Sequence, residues 1–430
     1  MYRRRTLQFV RRKHGGFWRI VLPLLMLAAL ALALAPFPFV QSRLGWRVDA
    51  ALTALRTLVR PIGWMPTPVQ AASGLPAAPI PAAPTAAPQP SPTTAPLLPT
   101  AALALPTPTP PPLPQKVSLP APAYERQDWN NCGPATLSMH LRFYGWQGNQ
   151  QDIAAKIKPR RADRNVNIDE LVSYVNRESP SYRALFRVGG DLDLLRHLLA
   201  AGIPVTIEET FYLNESFWFN DDRWSGHYLL LTGYDDAAQT FTAQDSFVSA
   251  GRQVSYAELD RNWQSFNRAF LLVYPPEQES QIQALLGELW QMDSARQRAL
   301  QTARAESEAE PHNAFAWFNL GSNLVYFDRY NEAAMAYDTA RQIGLPQRML
   351  RYQFGPFLAY FHAGRNDDLL ALTEYALKVT PNSEEALLWR GWGLYRAGKK
   401  EEAIVQFQKA LQEHPGYQDA QYALDYLSKN

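Results

Sequence analysis

One cysteine is all that these 430 residues contain, and the scarcity excludes a good deal. No disulfide can form within the chain, so pairing says nothing of redox compartment, and no Cys/His cluster has the spacing of a zinc site. Charge of one sign is equally scarce. The formal net charge is +2 and most of the basic excess lies in the amino-terminal tail, so no broad electropositive face for nucleic acid is indicated. A Gly-rich phosphate loop ending in Lys-Ser or Lys-Thr and a dinucleotide fingerprint are both missing, and no cofactor is called for.

A different lack marks the stretch from Pro61 to Gln115, which has no ionisable side chain and is dense in Pro, Ala and Thr. Proline at that density removes backbone donors and fixes φ, which rules out a helix, a sheet or a membrane span. Residues 61–117 read as a disordered linker, able to reach on the order of 170 Å at about 3.1 Å per residue. It is either a stalk or a spacer of no selected length. Ahead of it, the basic tail 1–19 precedes an uncharged run, 20–40, long enough for a transmembrane helix. The positive-inside rule keeps the tail in the cytoplasm and puts everything after Val40 outside it. A cleaved signal peptide, and hence a secreted protein, is the competing reading of Ala33-Leu34-Ala35. Pro36 disfavours cleavage, and Trp18 and Trp46 flank the run like interfacial anchors. Residues 41–60 follow as a juxtamembrane amphipathic segment, with Val48, Leu52, Leu55 and Leu58 at helical spacing.

The lone thiol stands where a helix begins. In Gln127-Asp128-Trp129-Asn130-Asn131-Cys132-Gly133-Pro134-Ala135, the asparagines and Gly133 are turn or cap residues and Pro134 suits a first helical turn. Leu137, Leu141 and Tyr144 then recur at helical spacing until Gly145. A thiol at such a terminus faces unpaired N–H groups that favour thiolate, which makes Cys132 the candidate nucleophile; a small buried hydrophobe is the plainer reading. Of seven histidines, His227 alone follows a glycine and opens a strand-like run, Tyr228 to Gly233. Thr240 to Ser246 reads as the next strand, with Asp235 to Ala238 as the turn between. Antiparallel neighbours of this kind bring Asp245 beside His227 to orient its imidazole, and Gln127 can offer an amide to an oxyanion.

Gln127, the Asn-Cys-Gly-Pro-Ala run, Gly226-His227 with its apolar strand, and Asp245 together resemble the bacteriocin-processing group of papain-like cysteine peptidases, the C39-like double-glycine leader peptidases. The resemblance spans about residues 118 to 275. It implies a papain-like α+β domain over 118–276 in which Cys132 is nucleophile, His227 general base and acid, Asp245 the orienting residue and Gln127 the oxyanion donor. Two departures stand out. The best-known members carry proline after the aspartate, where this chain has Ser246, and place the glutamine six rather than five residues before the cysteine. They are also fused to an exporting ATPase, which has no counterpart here. Within this domain the aromatic stretch Phe211 to Arg223, with Trp218 and then Trp224, either lines a substrate groove or packs against its own domain, and its acids Glu215, Asp221 and Asp222 fit a basic or amine-bearing substrate or a solvated face equally.

Residues 277–430 are a different object. Pro311, Pro346, Pro381 and Pro415 recur every 34 or 35 residues, with Trp317, Gly321, Tyr330, Ala333, Tyr337 and Ala340 in the first unit and Trp389, Gly391, Ala403, Phe407 and Ala410 in the third. This resembles the tetratricopeptide repeat, an all-α solenoid whose groove implies a peptide or protein partner. The middle unit is weaker, keeping Tyr360, Gly364, Tyr375 and Ala376. The expectation is a multidomain protein: a membrane-anchored, extracytoplasmic cysteine peptidase of bacterial type acting on a peptide or protein substrate. A peptidase-like scaffold without activity, and an acyl transferase using the same thioester, are the alternatives.

Overall fold

The computed structural model describes isolated residues between 21 and 33, then residues 38–69, 112–158 and 166–429; of 38–46 and Asp49 the backbone alone is described. The expected transmembrane helix over 20–40 lies largely outside these residues. No helix among the described residues is long and apolar enough to cross a membrane. Helix α1 (Pro38–Val59) opens on a proline, whose missing N–H costs nothing in a first turn. Its stripe of Val48, Leu52, Leu55 and Leu58 is more than half exposed, so the amphipathic helix expected over 41–60 is present with its apolar face uncovered.

The sheet domain starts where the proline-rich stretch ends. Strand β1 (Lys116–Ser118) is followed by α2 (Cys132–Phe143), α3 (Gln150–Ile157) and α4 (Ile168–Glu178). Next come β2 (Arg183–Arg187), α5 (Leu192–Ala200), β3 (Val205–Tyr212), β4 (Trp224–Asp235), β5 (Thr240–Gln244), β6 (Arg252–Ser255), α6 (Tyr256–Gln264) and β7 (Phe270–Tyr274). The strands form one antiparallel sheet in the order β2-β7-β3-β4-β5-β6, with β1 beside β4 beyond the end of β3. Caps account for the helix starts: Asn149 and Asp152 make a capping box on α3, and Asp191 accepts from Leu194 N–H on α5. Gly233 is required where β1 crosses, because a Cβ there would lie 2.5 Å from the Val117 carbonyl oxygen.

Helices cover both faces of this sheet. Leu137 and Leu141 of α2, Ile153 of α3 and Leu171 and Val175 of α4 pack on Tyr228, Leu271 and Val273. Leu195 and Leu198 of α5 and Leu259 and Trp263 of α6 pack on Leu229, Leu231, Phe270 and Leu272. β4 is therefore buried along eleven of its twelve residues, which is why it reads as a continuous apolar run rather than an alternating one. Helix α7 (Glu279–Leu286) buries Ile282 and Leu286 in the same core, so residues just past 276 belong with the sheet, not with the repeats. Its apolar spacing shows that it packs, not against what.

Helix α8 (Met292–Ala309) leads three helix pairs: α9 (Ala314–Tyr326) with α10 (Tyr330–Ile343), α11 (Gly355–His362) with α12 (Asn366–Val379), and α13 (Glu384–Arg396) with α14 (Lys400–Glu413). Helix α15 (Gln418–Lys429) closes the array. Small-to-large pairing sets their approach. A Cβ on Gly321 would meet the Tyr337 ring at 2.8 Å, and one on Gly391 the Phe407 ring at 2.4 Å. The middle unit has a short first helix because residues 346–354 are used otherwise. Arg348 there makes a two-pronged ion pair with Asp221 (2.7 Å each) and donates to the Trp224 carbonyl, and Tyr352 O–H meets Ser225 Oγ at 2.6 Å. That segment is a dock against the sheet domain, and its side chains have left the repeat pattern.

Both ends of the expected linker are bound. Residues 62–69 lie against the repeat helices, where Arg341 donates to the Pro66 carbonyl and Asp368 accepts from Val69 N–H. At the other end Lys116 to Ser118 pairs with Asp235 to Gly233. The span expected to be disordered is thus shorter than 61–117, with 70–111 lying outside the described residues.

Candidate active site

Cys132 is the first residue of α2. Asn130 turns the chain into the helix with a left-handed backbone (φ 52°), a conformation asparagine tolerates. Asn131 precedes the helix but makes no side-chain cap bond; its amide donates instead to Gln150 Oε1 at 2.8 Å. The amino-terminal N–H groups of α2 are thereby left without a side-chain cap beside the partly buried Cys132. Lys158, at the end of α3, donates to the Asn130 carbonyl at 2.5 Å and holds a positive charge beside the sulfur. Burial pushes the Cys132 thiol up, but the hydrogen bond and charge of His227, the Lys158 ammonium and the Gly133 N–H outweigh it, and the net shift is downward.

Strand register brings the next two groups together. Leu230 pairs with Gln244, so the chain leaves β5 two residues along β4 from His227 and on its face of the sheet. His227 Nε2 lies 2.9 Å from Asp245 Oδ1, and both side chains are buried. Oδ1 also accepts from the Phe247 and Val248 N–H groups (2.9 and 3.0 Å), and Oδ2 from Arg252 Nη1 (2.8 Å). Burial alone would raise the Asp245 carboxyl; His227, these N–H groups and Arg252 hold it well below the usual range. Burial likewise opposes charge on His227, yet Asp245 on one side and Cys132 on the other push the imidazole up to about 10. A thiolate–imidazolium pair at neutral pH is what these shifts favour. Phe211 and Phe247 stand over the imidazole, each ring 5.1 to 6.4 Å from it.

Gln127 approaches from the strand-like segment before α2. Its backbone N–H donates to the Ser246 carbonyl at 2.8 Å, and its Oε1 accepts from Ser246 Oγ at 3.0 Å. With Oε1 held, the amide nitrogen is the end left to donate. Ser246, one of the two departures noted in the sequence, is fully buried and fixes which way the glutamine faces.

Trp218 and Trp224 are placed differently. Trp224 is 1% exposed, donates from Nε1 to Thr210 Oγ1 at 2.9 Å, and packs against Phe266, Phe315 and Tyr352, which leaves no face for a peptide. Trp218 is buried also, at 7% exposure. Asp221 is spent on Arg348, and Asp222 accepts from the N–H groups of Trp224 and Gln347, so neither acid awaits a basic substrate. Conversely, sequence reasoning missed Lys158, Arg252 and Glu209. Glu209 sits across the ladder from His227 with Arg252 Nη1 3.9 Å away and no hydrogen-bond partner among the described residues; burial pushes it up to about 7. No motif marks these groups, because each is contributed by a separate element, Lys158 by a helix end and Arg252 and Glu209 by strands. No group of three or more His, Cys, Asp or Glu among the described residues could hold a metal ion.

Residues 112–270 match the family model described as the Peptidase_C39 like family, and residues 384–417 match that of the tetratricopeptide repeat. No curated protein matches the chain. Among solved structures, a Bacillus anthracis protein described as a C39-like peptidase is 16% identical over 37% of this chain and 97% of its own, with a TM-score of 0.30. Xylellain, a cysteine protease from Xylella fastidiosa, is 15% identical over 38% and 87%, with a TM-score of 0.29. The peptidase domain of Streptococcus ComA, a bi-functional ABC transporter, is 14% identical over 36% and 99%, with a TM-score of 0.28. Residues 112–270 are a C39-like, papain-like peptidase domain, fused in this chain to tetratricopeptide repeats.

Proposed function

We propose that the chain is a cysteine peptidase working through a Cys132 thioester. The observation that carries this reading is the buried His227 Nε2–Asp245 Oδ1 pair at 2.9 Å, with a Cys132 thiol that His227 draws downward at the first residue of a helix without a side-chain cap. The thiolate attacks a peptide carbonyl carbon, and the displaced electron pair moves to oxygen, where Gln127 Nε2–H and backbone N–H groups of α2 receive it. Collapse breaks the C–N bond as the imidazolium gives its proton to the leaving amine. Neutral His227 then takes a proton from water, whose oxygen attacks the thioester, freeing the acid and restoring the thiolate. An amine in place of that water would make the same site a transferase. The repeats supply a surface for a peptide or protein.

Labelling of the purified chain with iodoacetamide across pH tests this. The wild type should react nearly as fast at pH 6 as at pH 8, because the thiol is depressed and its charge partner stays protonated to about 10. In His227→Ala the pH 6 rate should fall at least tenfold and climb with pH toward an ordinary thiol near 8.5. Identical profiles for the two proteins would leave a peptide-binding scaffold instead.

We further place these domains outside the cytoplasm on a membrane anchor, on the support of the basic tail and the apolar run 20–40. Protease added to intact spheroplasts should digest them; digestion only after lysis overturns the placement.

A further inference from the structure

The repeats hold a buried cluster of two arginines and two aspartates that the cysteine chemistry does not use. Arg341 of α10 donates from Nη1 to Asp368 Oδ1 (3.0 Å) and to Tyr360 O–H (2.8 Å). Tyr360 donates to Asp338 Oδ1 at 2.8 Å, and Arg365 pairs with both Asp338 and Asp368. Arg341 and Asp368 side chains are 0% and 1% exposed. The four charges cancel within the cluster, so a charged ligand gains little from it. What the cluster still offers is a pair of main-chain partners: the Nε and Nη2 donors of Arg341 and a lone pair on Asp368 Oδ1.

Those partners are met by the chain's own segment 62–69. Pro66 C=O accepts from Arg341 Nε at 3.0 Å and Nη2 at 2.7 Å, and Val69 N–H donates to Asp368 Oδ1 at 2.9 Å. Ile62 and Met65, three residues apart, are buried and Pro66 and Pro68 half-buried, whereas Gly63, Trp64, Thr67 and Val69 are exposed. Three residues per turn is the repeat of a polyproline II strand, which Pro66 and Pro68 favour by fixing φ. In such a strand the carbonyl of one residue and the N–H three residues on face roughly one side, as this site requires. The segment is also free of ionisable groups, matching a cluster whose charge is already balanced.

We propose that the Arg341–Asp368 cluster is a main-chain binding site for an extended, neutral, proline-set strand, and that residues 62–69 are its resident occupant, docked in cis. Recognition at the cluster is through one carbonyl and one N–H; beside it Gln347 Nε2 donates to the Gly63 carbonyl at 3.4 Å, and Ile62 and Met65 are apolar anchors. Proline lowers the entropy lost on docking. Any other strand of the same chemistry must displace the resident one to bind there. This inference does not depend on the site at Cys132.

The test uses the full chain and a fluorescein-labelled peptide of the sequence Ile62 to Val69. Val69→Pro removes the N–H that Asp368 accepts without touching the repeats, so this variant should bind the peptide at least tenfold more tightly than wild type. Adding Arg341→Lys, which cannot present the two-pronged fork, should return binding to the wild-type level. Equal binding by wild type and Val69→Pro, whether both bind or neither does, overturns the proposal. Amide exchange provides the second measurement. Val69 N–H in the wild-type chain should exchange at least tenfold more slowly than in the free peptide, and an unprotected Val69 overturns it as well.

Discussion

Ser246 Oγ donates to Gln127 Oε1 at 3.0 Å, so it fixes which end of the glutamine amide stays free to donate in the oxyanion role proposed for it. Without it the amide can rotate and present oxygen to a developing oxyanion, where only a donor helps. Ser246→Ala should weaken inhibition by a peptide aldehyde, whose hemithioacetal carries that oxyanion, by about tenfold, or about 1.4 kcal/mol. Alkylation by iodoacetamide, which develops no charge on such an oxygen, should stay at the wild-type rate. Equal loss in both assays would mean damage to the thiol rather than to the oxyanion donor. At this scale the His227–Asp245 pair and the helix start at Cys132 were legible because each sits beside a recognisable helix start, glycine step or strand end. Lys158, Arg252 and Glu209 were not, because a lone charged residue gives no sign of what it faces after folding.

Among the elements, those with local punctuation were read closely and those without it were not. Helix α5 starts at its Asp191 cap and ends before Gly202, whose backbone is left-handed (φ 85°). Strand β4 runs several residues beyond the expected Tyr228–Gly233, and β3 likewise takes in polar and aromatic residues, since a residue buried on both faces need not be aliphatic. Thus Glu209, Phe211, Trp224 and His227 are all strand residues. Helix pairing in the repeats follows the small-to-large rule, and Gly391→Val tests it. Phe407 is fully buried and cannot swing away from a side chain that begins 2.4 Å from its ring. The expected cost is about 3 kcal/mol, the upper end for overpacking, read as a lowered unfolding midpoint in urea. A midpoint within error of wild type would mean that the helices separate more readily than their packing implies.

For residues 62–430, the joint between sheet domain and repeats is the part no sequence pattern announced. The acids of the 213–223 connection and the basic run Gln347 to Arg351 look solvated when read apart, yet Arg348 and Asp221 are 1% and 0% exposed and meet only because both domains supply half of the pair. Two residues beyond Trp224, Gly226 lies so close to Tyr352 and Phe266 that a Cβ would meet the Phe266 ring at 2.7 Å. The repeats thus abut the strand that carries His227. Arg348→Ala leaves Asp221 buried beside a lost partner, at a cost of about 3–5 kcal/mol. Sheet and repeats, expected to melt in one transition in the wild type, should separate into two by calorimetry. A single unshifted transition would show that the aromatic contacts of Trp224 and Tyr352 suffice.

The docking of 62–69 changes what the stretch after it is for. Residues 70–111 depart from the repeats and arrive at β1, so they leave and rejoin a single body. Between Val59, the last residue of α1, and Ile62 only Arg60 and Pro61 intervene, and the proline-rich residues add no distance there. The covalent chain can be interrupted within 70–111 and the pieces stay together, held by the Arg341–Asp368 contact.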